Sequence, residues 1–216
     1  GLDLNITQGE MNQINKYKKD VDGVTGKNTP NVTQYGLVHL DGTQATTYAR
    51  IRKLSGDDFK RASRQRIVLQ AMLEKAKKAN PATLVKICNS VVDDISTTLS
   101  LDQMVSLAKD VTKYKISSTT GFPTDLTTKN MPRCGDTVIP ADLVTNVKKL
   151  HEYMFDDATY TPSQTVQAIS DTIVNTTGIT ADSAKINTSD YNETVGATGT
   201  DEIQKGSETT GGTNVQ

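Results

Sequence analysis

Five arginines and two lysines crowd into the seventeen residues from Arg50 to Arg66 (Arg50, Arg52, Lys53, Lys60, Arg61, Arg64 and Arg66), in a chain whose formal net charge is −1. That is a local anion site, not a general bias. A guanidinium offers two parallel N–H donors that match the oxygens of a phosphate or pyrophosphate, and a helix N-terminus beside it adds unpaired N–H groups. The chemistry to expect is the gripping and charge neutralisation of a phosphoryl group. Asp58, at the head of the second half of the cluster, either caps a helix, holds the arginines in register or reaches a divalent metal.

The two halves present their arginines differently. Arg50 and Arg52 are two apart and share a face only where Tyr48-Ala-Arg-Ile-Arg52 is extended; on a helix they point nearly opposite ways. This piece reads as extended, or as a helix end unwinding. From Asp58 the pattern is helical. At about 100° per residue, Asp58, Arg61 and Gln65 fall on the stripe of Ala62, Val68, Leu69, Met72, Leu73 and Ala76, the face expected toward the core, which leaves Lys60 and Arg64 outward. An inward polar group costs about 1–3 kcal/mol unless paired, and a charge costs more. The trio must then be satisfied by neighbours or by a bound ligand. A plainer reading stands beside it, with Asp58 as a helix cap and Arg61 and Arg64 as a solvated basic face.

The string Leu40-Asp-Gly-Thr-Gln-Ala45, then Tyr48 to Arg52, then Asp58-Phe-Lys-Arg61 and Arg64-Gln-Arg66 resembles the second half of the catalytic domain of the LytR-CpsA-Psr family. The likeness runs from about Leu2 to Gly178, and an R-x-R followed by D-x-x-R-x-x-x-Q is a long pattern. The family comprises membrane-anchored enzymes of Gram-positive bacteria that move glycopolymers from a polyprenyl pyrophosphate carrier onto the cell wall. The resemblance implies Arg50, Arg52, Asp58 and Arg61 as catalytic residues and Arg50, Arg52, Arg61 and Gln65 as pyrophosphate ligands. It also implies Mg²⁺, held mainly by residues outside this chain, with Asp58 as the contact within it. The partners implied are a polyprenyl-pyrophosphate-linked anionic glycopolymer, a peptidoglycan acceptor and the membrane, through a helix N-terminal to Gly1. The acidic metal position and the arginine near a P-R-D sequence that the family carries in its first half do not occur in this sequence.

The elements that must position these residues are legible in outline. The chain has 216 residues, 35% hydrophobic and 23% charged, with no tryptophan, which suits an ordered domain plus a less ordered segment. Leu2, Leu4 and Ile6 alternate with Asp3 and Asn5 as a half-buried strand. Thr7 and Glu10 form a capping box for a helix burying Met11, Ile14 and Tyr17. Residues 19–38 read as a long loop, which by the resemblance borders the active site as a flap or is an ordinary surface excursion. Asp41 and Gln44 cap a short helix through Thr46 or Thr47, and Ser55-Gly56 marks a bend. A long helix runs from Asp58 to about Lys78, closed by Asn80-Pro81.

Two further helices follow, Pro81 to about Asp93 and Ser100 to Lys113. Their stripes are Leu84, Ile87, Cys88, Val91 and Val92, and Leu101, Met104, Val105, Leu107, Ala108 and Val111. Such stripes suit a packed core or, by the resemblance, the wall of a lipid tunnel. Tyr114–Ser118, Thr124–Lys129 and Thr137–Ile139 read as strands. Pro140-Ala-Asp142 opens a helix with Leu143, Val147, Leu150 and Met154 inward, and Thr161-Pro162 opens the last, with Val166, Ile169 and Ile173 inward.

The expectation is an α/β fold with helices on a mixed sheet, a three-layer arrangement present as an incomplete domain. Residues 1–178 form the domain and 179–216, rich in Thr, Ser and Gly, a disordered tail. No run approaches the roughly 18 apolar residues of a membrane span, and the N-terminus lacks a signal-peptide layout. Cys88 and Cys134 make no disulfide framework, though an extracellular address permits a bridge; Cys88 reads as a buried thiol. His39 and His151 stand alone and suit surface or hydrogen-bonding roles. No G-x-S-x-G, Walker or Rossmann glycine pattern occurs, which argues against serine hydrolases and nucleotide-binding enzymes. The alternatives to phosphotransfer are a nucleic-acid-binding regulator, opposed by the even charge balance, and an inert wall-polymer-binding fragment.

Overall fold

The computed structural model describes residues 1–52, 57–91 and 96–191. The chain divides into two compact units, one built on Gly1–Tyr114 and one on Lys115–Asn192. Both combine helices with antiparallel strands, so the α/β class holds. The sheets themselves, expected as mixed, are antiparallel at every described pairing.

In the first unit, β1 (Leu2–Ile6) pairs with β2 (Gly36–Leu40), with Leu2 opposite Leu40 and Ile6 opposite Gly36. Strand alternation turns Leu4, Ile6, Val38 and Leu40 to one face. There they join Ile14, Ala45, Tyr48, Ile67 and Ala71 from the helices, and Ile51 just past α2, in a single buried cluster. The helices are α1 (Gln8–Thr25), α2 (Gly42–Arg50), α3 (Asp57–Lys77), α4 (Pro81–Val91) and α5 (Leu101–Lys109). The expected capping box of α1 is present: Glu10 N–H donates to Thr7 Oγ1 at 3.1 Å, and Thr7 N–H donates to Glu10 Oε2 at 3.0 Å.

The segment expected as a loop over 19–38 is mostly regular. α1 continues to Thr25 and stops where Gly26 takes the left-handed conformation (φ 69°) that a glycine adopts without strain. β2 begins at Gly36. The loop between them is fastened rather than free to act as a flap. Asn15 pairs with both the N–H and the carbonyl of Val32 at 2.7 and 2.8 Å. Gln44 Nε2 donates to the Pro30 carbonyl at 3.0 Å. The buried Asp22 accepts from Thr29 N–H and Oγ1 at 3.0 and 2.6 Å, while Lys18 donates to the Thr29 carbonyl. The Thr29 hydroxyl, above all, holds the Asp22 carboxyl below its ordinary range against the opposing effect of burial.

Beyond α3 the expected burial is not met. Ile87 of α4 and Val105 and Leu107 of α5 are about half exposed, and α5 is shorter than the sequence suggests, ending at Lys109 with a separate turn of 3-10 helix at Val111–Lys113. The Ser55-Gly56 bend, the end of α4 past Val91 and the side chain of Cys88 lie outside the described residues.

In the second unit β3 (Asp125–Met131) and β4 (Gly135–Pro140) form a hairpin, followed by α6 (Leu143–Phe155), α7 (Gln164–Thr177) and β5 (Ile186–Asn187). The strand order is β4-β3-β5. Tyr114–Ser118 is not a strand. Nor does a tail begin at residue 179: β5 pairs with β3, and Thr188 N–H and Oγ1 bond the carbonyls of Thr124 and Gly121 at 2.8 and 2.9 Å. Residues 192–216 lie outside the described part. α7 is capped by Ser163 rather than opened at Pro162. Met154 and Ile169, expected inward, are exposed, while Asn146 and Ser170 are buried. His39 bonds Asp3 at 2.7 Å across the first sheet, His151 stacks on Tyr160, and the Cys134 thiol is free and exposed.

Candidate functional site

α2 starts on the expected capping box, with Gln44 N–H donating to Asp41 Oδ1 at 2.8 Å and Asp41 N–H donating to Gln44 Oε1 at 2.9 Å. It runs further than expected, through Arg50. Tyr48, 2% exposed, anchors its last turn in the core. The helix then unwinds at Ile51, whose N–H reaches the Tyr48 carbonyl at 3.2 Å and whose backbone (φ −58°, ψ 127°) leaves the helical region. Of the two readings of Tyr48–Arg52, the unwinding helix end is the one adopted. Its effect on the side chains is what an extended segment would give. Ile51 turns into the core, and Arg50 and Arg52, both exposed, flank it.

The two arginines line one pocket of ≈ 190 Å³. Thr47 and Ile51 supply the rest of its α2 side, and Tyr17, Asp20 and Val21 of α1 face them. Among the described residues the lining sets two guanidiniums against one carboxylate, a cationic balance suited to an anion with several oxygens. Sequence patterns alone do not mark Tyr17 and Asp20 as site residues. Tyr17 belongs to the apolar stripe of α1, and Asp20 falls in the segment that reads as loop; the glycine at position 26, a helix stop, is the signal that would have kept it helical.

α3 is turned by about one residue from its expected phase. Its buried stripe is Lys60, Ser63, Arg64, Ile67 and Ala71, whereas Gln65 is exposed, Arg61 half-buried, and Leu69 and Met72 more than half exposed. Hydrophobic periodicity fails here because the inward positions of the first turns, Lys60, Ser63 and Arg64, are polar. Arg64 Nε donates to Glu10 Oε1 at 2.7 Å, with both side chains about 95% buried, and Arg64 Nη1 reaches the Ile51 carbonyl at 3.4 Å. Lys60 and Arg64, expected on an outward basic face, are thus not offered to a nucleic-acid backbone.

Of the sequence-predicted residues, the structure brings Arg50 and Arg52 together. Arg61 and Gln65 are not among the pocket's lining, and the side chain of Asp58 lies outside the described residues. Among the described residues no three His, Cys, Asp or Glu side chains gather as a metal site, and no helix is long and apolar enough to cross a membrane. The model of the LytR_cpsA_psr family matches residues 2–150. No curated protein matches the chain.

Proposed function

We propose that this chain, which belongs to the LytR-CpsA-Psr family, carries the diphosphate-gripping part of a phosphotransferase that attaches an anionic glycopolymer from a polyprenyl pyrophosphate carrier to peptidoglycan. Membership brings a transferase-type role on cell-wall glycopolymers at the cell envelope. The observation that carries the finer reading is the meeting of Arg50 and Arg52 at one pocket where α2 unwinds.

In the proposed reaction a sugar hydroxyl of peptidoglycan attacks the phosphorus nearest the glycopolymer. The new P–O bond forms as the bond to the bridging oxygen breaks; polyprenyl phosphate leaves with that electron pair, and the hydroxyl proton passes to a base. Phosphoryl transfer asks chiefly for positioning and for neutralisation of charge on the phosphoryl oxygens. Arg50 and Arg52 supply both from the pocket. Arg61, Asp58 and Gln65 act from α3: Arg61 on a further phosphoryl oxygen, Gln65 as a neutral donor, and Asp58 to hold the guanidiniums in register or to meet Mg²⁺. That cation, when bound, adds positive charge beside the diphosphate.

The test is binding of, and transfer from, a polyprenyl pyrophosphate glycopolymer by the full-length protein and its Arg50→Ala, Arg52→Ala and Asp58→Ala variants. Each arginine variant is expected to lose at least about tenfold in affinity, as loss of a charge-assisted bidentate contact implies. Wild-type binding and transfer in all three would end the assignment.

A further inference from the structure

We propose that Arg64 is a positioning residue for the arginine pair: its guanidinium, held on Glu10, fixes the Ile51 peptide group that lies between Arg50 and Arg52 in the chain. The consequence for function rests on the pyrophosphate reading above; the placement itself does not.

Three segments meet at this one side chain. Glu10 sits in the first turn of α1 and uses its two oxygens separately, Oε2 for the Thr7 N–H at 3.0 Å and Oε1 for Arg64 Nε at 2.7 Å. The carboxylate is thereby held from its own helix as well as from α3. Arg64 then spends a second donor, Nη1, on the Ile51 carbonyl at 3.4 Å, at the long end for a hydrogen bond. That carbonyl belongs to the residue where the backbone leaves the helix, between the two pocket arginines.

A buried ion pair is a poor way to stabilise a fold. Desolvating both charges offsets most of their attraction, and well-packed apolar residues of similar size often serve as well or better. What an apolar pair lacks is direction. A guanidinium's planar fork can hold a carboxylate and a carbonyl at once in set orientations, which an ammonium on a flexible stem does not reproduce. The α1 wall of the pocket, Tyr17, Asp20 and Val21, lies on the helix that carries Glu10, so one clasp ties the pocket's two sides together.

The test uses Arg64→Lys, which keeps a cation for Glu10 but loses the fork, with Arg50→Ala as the control for the pyrophosphate reading. Two quantities are read on the full chain: hydrogen exchange at the Ile51 amide, with the paired amides of β1 and β2 in the same unit as an internal fold control, and affinity for farnesyl pyrophosphate. Arg64→Lys is expected to speed exchange at Ile51 about tenfold while the β1–β2 amides are unchanged, and to weaken farnesyl pyrophosphate binding about tenfold, since small misplacements at a charged site have large effects. Wild-type exchange at Ile51 in Arg64→Lys overturns the positioning role. So does faster exchange with full affinity where Arg50→Ala has lost it, because the clasp would then serve local stability alone. If Arg50→Ala binds as wild type, or wild type does not bind, the pyrophosphate reading has failed, and the Ile51 exchange alone decides whether Arg64 sets the turn. Should Arg64→Lys not fold, Glu10→Gln, which keeps the cap and weakens the hold on Arg64, is read in the same way.

Discussion

In each unit a buried polar side chain on a helix pins a stretch of irregular backbone, and the two differ in charge. In the first unit the side chain is charged: Arg64 of α3, paired with Glu10 and reaching the Ile51 carbonyl. In the second it is neutral: Asn146 of α6, fully buried, whose Oδ1 accepts from Thr124 and Asp125 N–H and whose Nδ2 donates to the carbonyls of Asp125, Ala141 and Asp142. An amide satisfies backbone donors and acceptors at little desolvation penalty and suits a purely architectural joint. A buried charge pair is the more demanding solution, and it occurs where two further guanidiniums line a pocket nearby. The buried charge pair thus meets the backbone that carries the pocket arginines, while the buried amide serves the turn it fills.

The strongest consequence of this contrast falls on the charged side. Glu10→Ala strands the Arg64 guanidinium and should destabilise the first unit by about 3–5 kcal/mol in denaturant unfolding, whereas the double change Glu10→Leu with Arg64→Met should restore most of it. A double variant as unstable as the single one would show that the pair stabilises the fold in its own right. On the neutral side, Asn146→Ala removes the side-chain partner of the Thr124 and Asp125 N–H groups and of the Ala141 carbonyl, while the Asp125 and Asp142 carbonyls keep the backbone N–H groups of Ala141 and Asn146. It should destabilise the second unit by about 2–4 kcal/mol, with no change at the arginine pocket. Altered anion binding in that variant would erase the distinction.

A smaller effect refines the second unit's half. Burial pushes the Asp142 carboxyl up, but the hydroxyls of Thr145 and Ser170 and the N–H groups of Thr145 and Val144 outweigh it and leave the group below its ordinary value of 3.8. A depressed carboxylate contributes stability that is complete above the unfolded-state value and disappears as pH falls through the folded one. At neutral pH Asp142→Asn should therefore be less stable than wild type by about 1 kcal/mol. The gap should close as the pH drops below 3.8. A gap constant with pH would mean that the side chain's shape, and not its charge, holds α6 to α7.

Much of the frame is legible in residue patterns. The capping boxes at Thr7 and Asp41, the β1 alternation and the arginine spacing all work over a few residues, and local patterns carry local structure. The phase of α3 is not legible this way, because periodicity scores Lys60 and Arg64 as solvent-facing unless a partner is known, and Glu10 lies 54 residues away. The same blindness puts Met154 and Ile169 inward and overlooks Asn146 and Ser170. Asp20 is lost with the second half of α1, where Lys18 and Asp22 make a helix look like loop while they clasp Thr29. β5 is hidden in a polar segment whose pairing with β3 is long-range.

Whether the arginines meeting at the end of α2 grip a diphosphate is decided by comparing polyprenyl pyrophosphate with polyprenyl monophosphate in calorimetric titrations. Wild type should prefer the diphosphate by about tenfold or more, as a second set of charged contacts would give, and the Arg50→Ala/Arg52→Ala double variant should bind both weakly and alike. Equal affinity of the wild type for the two lipids, or a preference that survives the double change, would refute it.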